Sequence, residues 1–115
     1  FSRDFTYIDN VIQMNVLAML TEEEKSVNQI YNTACGSQTS LLELTEKLKM
    51  YLSKYDAEIE SVKIHHGPER EGDIPHSLAS IEKAKRLLNY NPSHDFEQGI
   101  VESIDWYWNN LKTEN

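Results

Sequence analysis

At 115 residues, 39% of them hydrophobic, the chain is sized for one domain with one core, and no apolar run approaches the roughly 18 residues of a membrane span. Its net charge of −8, with 11 basic residues scattered along the chain, excludes a nucleic-acid surface, which needs a concentrated Lys/Arg stripe. Cys35 is the only cysteine, so no intramolecular disulfide can form, and a reducing, cytoplasmic setting with Cys35 as a small buried side chain is expected.

The chain starts at Phe1 with no signal-peptide pattern, as a fragment excised from a longer chain would. Arg3-Asp4-Phe5-Thr6-Tyr7-Ile8 alternates polar with aromatic or β-branched residues, the period of a short strand. Asp9 then reads as the N-cap of a helix from Asn10 to about Leu20, whose Ile12, Val16, Met19 and Leu20 fall at helical spacing and are expected in the core. The acidic run from Thr21 to Lys25 is a solvated connection.

Gln29 to Ala34 predicts a second strand, closed by Gly36 and a polar turn at Ser37, Gln38 and Thr39. Ser40 and Glu43 fit a capping box for a helix to about Lys54 that presents Leu41, Leu44, Leu48, Tyr51, Leu52 and Tyr55 on one face. Val62 to His66 predicts a third short strand, on which the adjacent His65 and His66 point to opposite faces and cannot easily share a metal. With one cysteine and four scattered histidines, no metal site is expected.

The stretch from Pro68 to Ser77 holds Gly72 and lies between a strand and a helix, where loops carry function. Arg70 offers a planar fork suited to phosphate or carboxylate, and Asp73 can accept from sugar hydroxyls, so the pair suits a polar, anionic ligand. Ordinary ion pairing of Arg70 with Glu69, Glu71 or Asp73 is the competing explanation. Beyond it, Ser80 predicts the cap of a helix through Ile81, Ala84, Leu87 and Leu88 that Asn91-Pro92 stops. A last helix runs from about Asp95 to Asn110 and is expected to bury Phe96, Ile100, Ile104, Tyr107, Trp108 and Leu111, with both tryptophans packing rather than forming a sugar platform.

The glycines, at 36, 67, 72 and 99, build no dinucleotide loop, Tyr51 and Lys54 miss the Tyr-x-x-x-Lys spacing by one, and no catalytic triad is visible. No catalytic and no cofactor-binding residue is therefore expected in the chain.

In order, the chain carries Arg3-Asp4-Phe5-Thr6-Tyr7-Ile8-Asp9-Asn10-Val11, then Ile30-Tyr31-Asn32 through Gly36, then Arg70-x-Gly72-Asp73, then Leu88-x-Tyr90-x-Pro92. This set resembles the C-terminal, substrate-binding part of the nucleotide-sugar epimerases among the extended short-chain dehydrogenases/reductases. Ser80 stands where the family commonly has Asp, and Asn89 where it often has Gly. The resemblance implies an α+β fold: a small, mainly helical lobe with about four helices and two or three short strands, normally packed beside a Rossmann domain. Residues 1–115 would be the C-terminal nucleotide-sugar-binding domain of an NAD-dependent UDP-sugar 4-epimerase. Arg3 and Arg70 would hold the diphosphate, Asp73 the ribose, and Ser77 would be a small gate beside the sugar C2 substituent that admits UDP-N-acetylglucosamine as well as UDP-glucose. NAD, the catalytic pair and the dimer-forming helices would lie in the N-terminal half, leaving this part inactive alone, within a homodimer that binds neither nucleic acid nor membrane. A 4,6-dehydratase or decarboxylase on the same scaffold, or a non-catalytic interaction module, are the alternatives.

Overall fold

The computed structural model describes residues 1–111. The described elements are β1 (Ser2–Arg3), α1 (Ile8–Leu20), β2 (Thr39–Ser40), α2 (Leu41–Leu52), α3 (Glu82–Leu88) and α4 (Phe96–Asn110), with short 3-10 turns at Glu24–Ser26 and Ala57–Ser61. Four helices and a small antiparallel sheet make the fold α+β, as expected.

The sheet is shorter and differently placed than the alternation suggests. Only Ser2 and Arg3 form the first strand, paired antiparallel as Ser2↔Ser40 and Arg3↔Thr39. Asp4 leaves the ladder because its carboxylate accepts the amides of Cys35 at 2.9 Å and Gly36 at 2.8 Å, closing a turn in which Gly36 has φ +77°. Thr39, read as part of a turn, is the pairing residue. On the other side of β1, the Ser2 amide donates to the Pro75 carbonyl at 2.8 Å and the Ser77 amide to the Ser2 carbonyl at 3.1 Å, a parallel bridge. β1 thus holds the loop that precedes α3 against the start of α2.

Residues 29–34 and 62–66 are not strands: neither has a ladder partner among the described residues, and Ala34 lies in a bend. Their β-branched content favours the extended backbone, but a strand also needs a neighbouring edge. Helix α1 starts earlier than predicted, with Tyr7 at the N-cap and Asp9 in the first turn, where its charge suits the helix dipole.

The core is small: Met14, Ala34, Ile81, Ala84, Leu88 and Tyr90. Tyr90 is 1% exposed, its hydroxyl donates to the Ala34 carbonyl at 2.7 Å, and burial pushes its pKa up to about 12. Asn10 is wholly buried: its Nδ2 donates to the His94 carbonyl at 2.8 Å, and its Oδ1 accepts the His94 amide at 3.1 Å. That side chain ties α1 to the loop before α4, which satisfies its polar atoms without water.

Expectations for the core are corrected at α1, where Ile12, Val16, Met19 and Leu20 are exposed, Met19 at 75%. The period places them on the side away from the Met14 and Asn10 contacts, and nothing in the described residues covers it. Helix α2 ends at Leu52 rather than Lys54 and buries none of its residues fully, with Leu41 exposed. Ser40 caps it, accepting the Glu43 amide at 3.0 Å. The complete capping box is at α4, between Asp95 and Gln98. Helix α3 ends at Leu88, three residues before Asn91, because Asn89 takes the left-handed conformation with φ 53°. Ser80 lies just outside α3 and accepts the Glu82 amide at 3.5 Å.

On α4, Ile104 is buried and Phe96, Ile100 and Trp108 are half-buried, with Trp108 against Tyr55 at 5.3 Å between ring centroids. Tyr107, Leu111 and Trp106 are exposed instead, with nothing among the described residues covering them. Gly99 lets α4 approach the segment after β1: a Cβ there would lie 2.7 Å from Tyr7 Cβ. Cys35 is half-buried rather than buried, and its thiol is pushed up chiefly by desolvation.

Candidate functional site

A cleft of about 700 Å³ opens where β1, the first turn of α2 and the 64–73 segment meet. Arg3, Arg70 and Asp73 line it, together with Phe1, Leu42, Thr45, His65, His66 and Glu69. The bridge from Ser2 to the 75–77 segment brings the loop back alongside β1, which is why residues 70 positions apart meet. Within the loop, the Asp73 amide donates to the Arg70 carbonyl at 3.2 Å, and Gly72 at φ +81° supplies the positive φ this tight turn needs.

Arg3 is fixed on three sides. Its Nη1 donates to the Ser2 carbonyl at 2.7 Å, more weakly to the Pro75 carbonyl at 3.5 Å, and its Nη2 donates to Asp73 Oδ1 at 2.7 Å. The Arg3–Asp73 pair is about one-third exposed, so it orients both side chains more than it stabilises the fold. Arg70 has no side-chain partner among the described residues, and its guanidinium is available to a ligand. The cleft therefore presents one pre-oriented and one free guanidinium, a carboxylate, and apolar surface from Phe1, Leu42 and Ile64. Such a set can hold an anion bidentately and accept from hydroxyl groups beside it.

Ser77 is outside that lining. Its amide is engaged by Ser2, which places it on the far side of β1 from α2 and next in register to Arg3. Phe1, Leu42 and Thr45 carry no local sequence signal for the cleft. The adjacent His65 and His66, just upstream of the Arg70 loop, do, although the strand expected there bears only on whether they share a metal.

Two polar groupings lie elsewhere. Asp9, His94 and Glu102 each bring one ligand-type atom within 4.8 Å of the others. His94 Nε2 is already bonded to Glu102 Oε1 at 2.9 Å, and this bond, ahead of the Tyr7 hydroxyl, holds the Glu102 carboxyl below its ordinary range. It is a hydrogen-bonded tie between α4 and the loop before it. Between α2 and α4, Glu97 accepts from Tyr51 and from Lys47, the latter at 3.0 Å, and both lower its pKa.

Among the described residues, Gly99 in α4 is packed against Tyr7 and Gly36 faces Ile81.

The sequence profile of the family described as GDP-mannose 4,6 dehydratase matches residues 1–103. UDP-glucuronate 4-epimerase 4 of Arabidopsis thaliana is 31% identical over 117 residues, covering 92% of this chain and 25% of the relative. Among solved structures, the UDP-glucose 4-epimerase of Thermotoga maritima with UDP-glucose superposes with a TM-score of 0.81 at 28% identity, covering 97% of this chain and 33% of that one. The UDP-glucuronic acid 4-epimerase of Bacillus cereus, in complex with UDP-glucuronic acid and NAD, gives a TM-score of 0.76 at 28% identity, covering 96% and 33%. The chain thus spans a quarter to a third of the length of these relatives, corresponding to the C-terminal portion of the epimerase structures. It belongs to the GDP-mannose 4,6-dehydratase family, the extended short-chain dehydrogenases/reductases that act as NAD-dependent nucleotide-sugar epimerases and dehydratases.

Proposed function

We propose that the chain is the substrate-binding part of a UDP-sugar 4-epimerase whose NAD and catalytic base belong to a Rossmann domain elsewhere in the full-length protein. The observation that carries this reading is the convergence of Arg3, Arg70 and Asp73 on one cleft in a member of this family. Arg70 and the oriented Arg3 hold the diphosphate, Asp73 accepts from the ribose hydroxyls, and the sugar runs along β1 toward Ser77.

The uncovered surfaces support a partner domain. Ile8, Ile12, Val16, Met19 and Leu20 expose one apolar side of α1, and the unladdered 29–34 segment leaves Ile30 88% exposed. Apolar area of this kind is stabilised when it is covered, at about 25 cal/mol per Å². A sheet edge pairing with residues 29–34 would satisfy their free backbone groups as well. With base and cofactor site assigned to that partner domain, the chain by itself is proposed to turn nothing over.

The sugar is proposed to be glucose or N-acetylglucosamine, because Ser77 is small. A second reading, UDP-glucuronate, is favoured by the Arabidopsis and Bacillus relatives. The test is product analysis with the full-length protein and NAD on UDP-glucose, UDP-N-acetylglucosamine and UDP-glucuronate. Interconversion with the galacto epimer of the first two supports the reading, and Ser77→Tyr should then abolish turnover of the N-acetyl substrate while sparing UDP-glucose. Loss of water or CO₂ from the sugar would assign a dehydratase or decarboxylase, and an unchanged ratio in Ser77→Tyr would remove the gate.

A further inference from the structure

We propose that His65 and His66 are ligand-contacting residues of the same cleft and make its hold on a diphosphate depend on their protons. The inference rests on the nucleotide-sugar reading above. On a strand the two side chains would diverge; residues 62–66 have no ladder partner among those described, and both histidines line the cleft with Arg3 and Arg70. Neither imidazole has a hydrogen-bond or ion-pair partner among the described residues, so neither is committed to holding the fold.

The charges facing them are few. β1 contributes Arg3, the loop contributes Glu69, Arg70 and Asp73, and the first turn of α2 contributes only the uncharged Ser40, Leu41, Leu42 and Thr45. Phe1 adds its ring and, in the 115-residue chain, an α-amino group. The side-chain charges are two positive and two negative, summing to zero while the imidazoles are neutral. A diphosphate approaching a chain of net charge −8 then gains local attraction only through the geometry of the guanidinia. Each imidazole that takes a proton adds a positive charge and a second N–H donor at the cleft wall.

Imidazoles change charge between about pH 5 and 8, whereas carboxylates and guanidinia as residue types do so outside that interval. The diphosphate of a nucleotide sugar is esterified at both ends and so lacks the monoester ionisation near pH 6. A pH response of affinity in this interval therefore belongs to the protein.

The experiment is calorimetric titration of the full-length protein with UDP-glucose at about pH 6 and about pH 8. Wild type is expected to bind about tenfold more tightly at the lower pH, the scale of one added charge-assisted hydrogen bond. The His65→Asn/His66→Asn double variant should bring that ratio close to one, each single variant should remove part of it, and Arg70→Ala should weaken binding at both pH values while keeping the ratio. A wild type with no pH response, or a double variant that keeps the wild-type ratio, would overturn the inference and leave the nucleotide-sugar reading standing. No binding of UDP-glucose at either pH would overturn that reading, and the inference with it.

Discussion

Arg3 and Asp73 are bonded to each other, Nη2 to Oδ1 at 2.7 Å, across 70 positions of sequence. The two residues proposed to hold different parts of one ligand are thus already joined, and Arg3 is turned into the cleft by Asp73 and the Ser2 carbonyl together. Asp73→Asn is expected to weaken ligand binding through both routes, losing the ribose contact and loosening Arg3. Because Arg3 and Arg70 would share one diphosphate, the losses in Arg3→Ala and Arg70→Ala should be non-additive in a double-mutant cycle measured by UDP-glucose binding. Additive losses would place the two arginines in separate sites.

The contact between Gly99 and Tyr7 sets how closely α4 approaches the segment that leads out of β1. Gly99→Ala gains helix propensity of up to about 1 kcal/mol but drives a Cβ to 2.7 Å from Tyr7 Cβ, an atom next to the backbone that cannot swing away. The overlap should win, destabilising the fold by about 1–3 kcal/mol. Denaturant unfolding checks it, and a stabilised variant would show that α4 can move away freely.

Tyr90 is the keystone of the core. Tyr90→Phe removes only the hydroxyl, leaving the Ala34 carbonyl unpaired in a buried place, and is expected to cost about 1–3 kcal/mol. The folded pKa, about 12, is above the ordinary value of 10.0, so this group's contribution is complete below pH 10 and is lost as pH rises through about 12. In alkaline melts, wild type should lose stability over that window more steeply than Tyr90→Phe; parallel curves would argue against a buried phenol.

On the acid side, Tyr51 and Lys47 lower the pKa of Glu97, so its contribution is present above the unfolded carboxylate value and is lost as pH falls through the folded one. Glu97→Gln should flatten the acid limb of thermal stability and loosen α2 from α4. An unchanged acid limb would show the exposed pair to be of no consequence to the fold.

Helical spacing and turn chemistry were legible in the sequence wherever the signal is local. The helix from Phe96 to Asn110, the Ser40 cap and the Arg70–Asp73 turn all follow from residues within a few positions of one another. What the sequence did not disclose depends on distant partners. Alternation at residues 3–8 and β-branched content at 29–34 suggest strands, but the carboxylate of Asp4 is drawn to the amides of Cys35 and Gly36, and residues 29–34 have no edge to pair with among the described residues. Apolar spacing in α1 likewise marks a face without saying what covers it. For the candidate site, Arg70 and Asp73 are expected from their side-chain chemistry and Arg3 from the family resemblance, and the bridge from Ser2 to His76 brings the three together. His65 and His66 line the same cleft, and their place there depends on residues 62–66 having no ladder partner among the described residues, which local alternation does not reveal.

The most direct test of the account is the affinity of the full-length protein for UDP-glucose, wild type against Arg70→Ala, by calorimetry at one fixed pH and salt concentration. Arg70 has no side-chain partner among the described residues, so its removal leaves the Arg3–Asp73 pair in place and should cost only ligand contacts. A loss of about 1.5–3 kcal/mol, with an unchanged melting temperature in the absence of ligand, is the predicted result. Equal affinities for the two proteins would contradict the assignment of this cleft to the diphosphate.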